Sequence, residues 1–255
     1  MADADGRPLT QYAWLSIAAA LLTMAIKFAA YFITGSVGLL SDAMESIVNL
    51  FGGLMALAML TIAHQPPDED HAFGHNKAEY FASGMEGSLI LIAAVSIAVS
   101  AARRLIQPTP LERLGLGLAI NLSASVFNLG VALIMIRAGQ REESITLEAN
   151  GHHLLTDVWT SVGVAAGVGA VALTGWQRLD PAIALLVAGN ILWTGFKIGR
   201  RSVMGLMDTV LPEAEQNKVH DILNSYVGDD VKYHALRTRR AGARRFVSFH
   251  VLVPG

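Results

Sequence analysis

Six apolar stretches, each long enough to cross a lipid bilayer, limit what this chain can become. They cover residues 12–33, 37–63, 81–102, 114–136, 151–174 and 180–198. A hydrocarbon core of about 30 Å takes about 20 residues of helix, the shape that satisfies its own backbone where water is absent. Composition agrees, since 53% of the 255 residues are hydrophobic and only 16% are charged, with a mean hydropathy of +0.44. A soluble domain carries about 25% charged residues. The chain therefore reads as a helical membrane protein with six transmembrane helices. The opening MADADG has no basic segment, so no cleaved leader is expected. With no Cys, disulfides, thiol nucleophiles and thiolate metal sites are excluded. A net charge of −2 and no broad basic excess leave nucleic acid without a footprint.

The distribution of Lys and Arg sets the orientation. With the N-terminus inside, the inner segments hold Arg7, Lys77, Arg137, Arg141, Arg200 and Arg201, and the outer loops hold Arg103, Arg104, Arg113 and Arg178. This bias, with the Arg-rich tail after the sixth span, predicts both termini in the cytoplasm. Thr34-Gly35-Ser36 is expected to form a tight hairpin, and Pro108 and Pro110 to punctuate the third connection. The expected layout is a tail at 1–11, a membrane domain at 12–207 and a cytoplasmic domain at 208–255. In the last, 213–226 reads as an amphipathic helix with Val219, Ile222 and Leu223 on one face, and 232–239 and 244–253 as strands joined near Gly242.

Ionisable residues inside a bilayer are costly and mark function. The second span carries Asp42, Glu45 and Asn49, spaced i, i+3 and i+7 and so on one helical face. The fifth carries His153 and Asp157, again on one face, with His152 turned about 100° away. If the two faces meet, Glu45, Asn49, His153 and Asp157 form a cluster of oxygen donors and one imidazole. Two carboxylates neutralise a divalent cation, and imidazole suits zinc and its neighbours. Asp42, nearer the outer loop, suits an entrance or helix-start role. The cluster has no spare carboxylate to act as a general base, so an enzyme is not expected. The segment HQPPDEDHAFGHNK holds a second candidate set, Asp68, His71 and His75. In the tail, His234 and His250 fall on neighbouring strands, while His220 lies on the helix.

Together these features resemble the cation diffusion facilitator family, and within it the bacterial zinc and iron efflux transporters. The resemblance runs from about Tyr12 to His250. It is carried by TGSVGLLSDAMESIVNL, QPPDEDHAFGHNKAE, HHLLTDV, LMDTVLP and HALRTRRAG followed by RRFVSFHV. It implies a multi-pass transporter of the inner membrane that exports divalent metal against inward proton flow, as a homodimer. The metal it implies is zinc, with iron, cadmium, manganese or cobalt as alternatives, and zinc is also expected as a candidate structural ion. By position, the transport site is Glu45, Asn49, His153 and Asp157, and the loop site is Asp68, His71 and His75. The tail site includes His234 and His250, and Lys77 pairs with Asp208 as a charge lock near the dimer interface. Small residues such as Gly84 and Gly87 would permit close helix contact.

Two departures stand out. Relatives usually carry Asp or His where this chain has Glu45 and Asn49, and Asn removes both a charge and a protonatable group. The hard oxygen donors are expected to relax a zinc preference toward manganese, iron or cadmium. The cytoplasmic domain of the family is ferredoxin-like, α-β-β-α-β, whereas this sequence reaches Gly255 after α-β-β, so the domain is expected to be either truncated or natively short. The competing expectation is a membrane metal sensor that binds without transporting.

Overall fold

A computed structural model describes residues 9–34, 37–107, 115–228 and 231–253. Six long helices follow one another: α1 (Thr10–Thr34), α2 (Val37–Ala63), α3 (Ala78–Ile106), α4 (Gly115–Arg141), α5 (Ile145–Thr174) and α6 (Leu179–Leu206). A short helix α7 (Glu213–Ser225) and a hairpin of β1 (Lys232–Ala241) and β2 (Arg244–Leu252) complete the described chain. The turn at Gly35 and Ser36, Pro108 and Pro110, and the side chains of Asp42 and Glu45 lie outside what is described.

The helices outrun their apolar stretches. α5 begins at Ile145, not 151, because Ser144 caps it with extended backbone and a hydroxyl that accepts from the Leu147 amide. α3 starts at Ala78 and α6 continues to Leu206. Hydropathy marks the part of a helix that sits in hydrocarbon. The backbone hydrogen bonding continues into the polar interface, where charged side chains are solvated.

α3 packs on α6, α4 on α5 and α1 on α2, while α5 also touches α2, α3 and α6. α5 therefore lies centrally and contributes to two apolar clusters. Leu147 and Leu154 join Leu60 and Met135, and Ala149 joins Ile90, Ile191 and Ile198. Small residues allow close approach. A methyl on Gly84 would come 2.8 Å from Ser202 Oγ, and one on Gly87 would come 3.0 Å from the Gly199 amide nitrogen. These two glycines thus serve the α3–α6 seam within one chain.

The hairpin turns through Gly242 and Ala243. Gly242 has φ 57° at the first central position of a two-residue loop, where a type II′ turn needs glycine. A bulge between His234 and Arg237 interrupts the ladder, and Ala235 within it takes φ 54°. A left-handed alanine costs about 1–2 kcal/mol relative to glycine. Ala235→Gly is therefore expected to raise the melting temperature of the tail, measured by thermal unfolding of the purified chain.

Candidate metal centre

α2, α3 and α5 pack against one another, and polar side chains meet between them. From α2, Asn49 is 3% exposed, and from α5, His153 is 6% exposed. Asn49 Oδ1 lies 2.8 Å from His153 Nε2, and Asn49 Nδ2 donates to Asp157 Oδ2 at 2.5 Å. The two helical faces singled out by spacing thus meet at these three residues. The helical backbone places Glu45 one turn before Asn49 on α2.

α3 adds a residue that the spacing argument did not place in the cluster. Glu86 is 1% exposed, and its Oε2 lies 2.9 Å from His153 Nδ1. Its Oε1 accepts from Asn150 Nδ2 at 2.7 Å, and Asn150 Oδ1 accepts from Ser16 Oγ at 2.6 Å. A continuous polar chain therefore runs Ser16, Asn150, Glu86, His153, Asn49, Asp157 and draws on four helices. The expectation of no spare carboxylate is corrected here: Glu86 is one, though it faces the imidazole from the side opposite Asn49. Lys27 of α1, also buried, lies within electrostatic range of Asp157.

A second cluster forms in the loop between α2 and α3. His71 Nδ1 lies 3.1 Å from Asp68 Oδ1, and His75 Nε2 lies 3.3 Å from Asp68 Oδ2. The three ligand atoms all fall within 4.8 Å of one another. The His71 backbone amide donates to Asp68 Oδ1 at 2.7 Å, and with the His71 imidazole it holds the Asp68 carboxyl below its ordinary range. The set is preformed, with both carboxylate oxygens turned to imidazole nitrogens.

In the tail, His234 and His250 are directly opposed across the ladder, their ring centroids 5.0 Å apart. His220 is elsewhere, with Nδ1 at 3.3 Å from the Tyr233 hydroxyl.

The tail is fastened to the helices by charge. Lys77 Nζ lies 3.0 Å from Asp208 Oδ1 and also donates to the Leu206 carbonyl at 3.2 Å. Arg239 joins the same Asp208 oxygen at 2.9 Å, and its guanidinium stands 4.5 Å from the ring centroids of both Phe73 and Phe246. Hydrogen bonds from Arg239 and Lys77 hold the Asp208 carboxyl below its usual 3.8. A depressed carboxylate contributes stability above its unfolded value and loses it as pH falls through the folded value, so this lock stays ionised near neutrality. Glu143, between α4 and α5, takes Arg240 at 2.8 Å and Arg245 at 2.9 Å. The family resemblance pointed to Lys77 and Asp208, but neither Arg239 nor Glu143 has a local pattern that identifies its partner.

Comparison with known proteins gives a consistent result. The family model described as cation efflux transmembrane domain matches residues 13–207, and that described as cation efflux protein, cytoplasmic domain, matches 211–255. An uncharacterized transporter of Synechocystis sp. is 51% identical over 244 residues, covering 96% of this chain and 79% of the relative. The cation-efflux pump FieF of Salmonella arizonae is 30% identical over 246 residues, covering 96% of this chain and 81% of the pump. FieF of Citrobacter koseri matches to the same extent, 30% over 246 residues.

Proposed function

This chain belongs to the cation efflux (cation diffusion facilitator) family, and on that premise we propose that it exports divalent transition-metal ions, zinc foremost, from the cytoplasm in exchange for protons. The observation that carries this reading is the meeting of Asn49, His153 and Asp157 between α2 and α5. Glu45, on the same face of α2, completes a set of three oxygen donors and one nitrogen. A tetrahedral zinc with bonds of about 2.0 Å spaces its ligand atoms about 3.3 Å apart. The 2.8 Å contact of Asn49 Oδ1 with His153 Nε2 is about 0.5 Å short of that spacing, and the ion is admitted when these side chains part and Asn49 Nδ2 gives up its hydrogen bond to Asp157 Oδ2.

Metal needs His153 neutral and Asp157 ionised, and protons compete for both. An unperturbed imidazole titrates near pH 6.5. Acid on the outer face therefore favours release outward, while the cytoplasm favours loading. Alternating exposure of the site to the two sides follows from rocking of the helices that frame it. Six crossings put the tail and the N-terminus on one side of the membrane, which we assign to the cytoplasm. The loop set Asp68, His71 and His75 binds a second ion there, and His234 and His250 contribute to a third in the tail. The working form is a homodimer in the inner membrane.

Flux in proteoliposomes tests this. Zinc is expected to move down an imposed pH gradient toward the acidic side and to stop when a protonophore collapses that gradient. Zinc binding without flux would mean a sensor. Asn49 supplies a further prediction. Asn49→Asp adds a charge beside Asp157 and is expected to shift the zinc to manganese and zinc to cadmium transport ratios toward zinc. An unchanged ratio in parallel assays removes Asn49 as a selectivity determinant.

A further inference from the structure

We propose that Glu86 of α3 is a positioning residue of the transport site: it holds the His153 imidazole by Nδ1 so that Nε2 faces the metal. This rests on the reading of Asn49, His153 and Asp157 as ligands.

A fully buried carboxylate is costly where lipid surrounds the bundle, and an apolar side chain would fill the same volume. Glu86 is nevertheless 1% exposed, with Oε1 hydrogen-bonded to Asn150 and Oε2 in ion-pair contact with His153. Oε1 is held at 2.7 Å by Asn150, itself tied at 2.6 Å to Ser16 of α1. That leaves Oε2 directed at His153 Nδ1, 2.9 Å away.

The facing helix leaves room for the carboxyl. A methyl on Gly52 of α2 would come 3.2 Å from Glu86 Cδ and 2.5 Å from Oε1. Gly52 is three residues after Asn49, so one face of α2 supplies both a ligand and the slot for the carboxyl that orients the other ligand.

Imidazole binds metal through one nitrogen, while its other N–H is usually held by a carboxylate or carbonyl that fixes tautomer and ring plane. Here the carboxylate lies on the Nδ1 side and Asn49 on the Nε2 side. When the ion binds, the Nε2–H that meets Asn49 Oδ1 is given up, and the proton that remains is kept on Nδ1 facing Glu86, so the Nε2 lone pair takes the metal. Glu86 does this from a third helix, which makes the α2–α5 site dependent on α3.

The test measures zinc flux by the full chain in proteoliposomes, with KM and kcat separated. The variants are Glu86→Leu, Glu86→Gln and Gly52→Ala, with Asp157→Asn in parallel. Glu86→Leu removes the carboxyl at similar volume and is expected to raise the zinc KM by about 10- to 100-fold, the usual cost of losing an outer-shell partner. Gly52→Ala displaces the carboxyl without changing it and is expected to act in the same direction. Glu86→Gln keeps an oxygen toward Nδ1 and is expected to recover part of the loss. An unchanged KM in Gly52→Ala and Glu86→Gln, or a Gln variant as impaired as Leu, overturns the proposal. These two variants decide the matter even if Glu86→Leu fails to fold. Wild-type transport by Asp157→Asn would instead sink the site reading itself.

Discussion

Asp157→Ala and His153→Ala are expected to reduce zinc flux by at least about 100-fold, since losing a ligand costs more than losing an outer-shell partner. The neighbours make the loss severe. Asp157 is the carboxylate that Asn49 Nδ2 addresses at 2.5 Å, and buried Lys27 lies within its electrostatic range. Removing Asp157 leaves a buried cation with less compensation as well as an incomplete ligand set. His153→Ala strands Glu86, which is 1% exposed and 2.9 Å from the imidazole. An uncompensated buried charge costs roughly 3–5 kcal/mol, so the alanine variants threaten folding as well as binding. Asp157→Asn preserves shape and is the cleaner probe. Flux at the wild-type rate in a correctly folded Asp157→Asn chain is incompatible with the assigned site. A monodisperse but inactive variant supports it.

Gly205→Ala is expected to destabilise the protein by roughly 1–3 kcal/mol, the usual cost of overpacking a well-packed contact. The Tyr80 ring lies directly against Gly205, so an added methyl would overlap ring atoms. Tyr80 cannot move aside easily. It is 6% exposed, and its hydroxyl accepts from the Gly242 amide at 3.1 Å. Its carbonyl accepts from the hydroxyls of Ser83 and Ser202. One residue thereby joins α3, α6 and the turn of the β-hairpin. Thermal unfolding in detergent should show a lowered midpoint, and limited proteolysis should show earlier release of the tail. A midpoint equal to wild type would mean that the seam can relax, and Tyr80 would lose its place as the joint between membrane and tail.

The six spans, the short helix and the hairpin follow from local rules. Apolar length, turn residues and alternation act within a few residues of one another. Gly242 was readable for the same reason, because a two-residue hairpin loop needs that backbone. The i, i+4 spacing of His153 and Asp157 fixes their shared face from helix geometry alone. Helix ends were less readable. Ser144 extends α5 beyond the apolar stretch through a hydrogen bond to Leu147, a contact that hydropathy does not register.

Glu86 shows where local reasoning stops. It is the one charge in its apolar stretch, so sequence marks it as unusual without naming a partner. Its partners stand 64 residues away at Asn150 and further still at His153. Gly84 and Gly87 are similar. Small residues announce a close contact but not which helix makes it, and the answer is α6 of the same chain.

By itself, the sequence determined which residues share a face, where the long apolar helices run and which side chains have ligand chemistry, because helix geometry and the cost of burying charge are local properties. Only the tertiary structure decided that α3 joins α2 and α5, that Glu86 stands behind His153, and that Arg239 and Glu143 clamp the tail. Those pairings depend on which helical faces pack together, and that is set by the fit of whole surfaces formed by residues far apart in the chain.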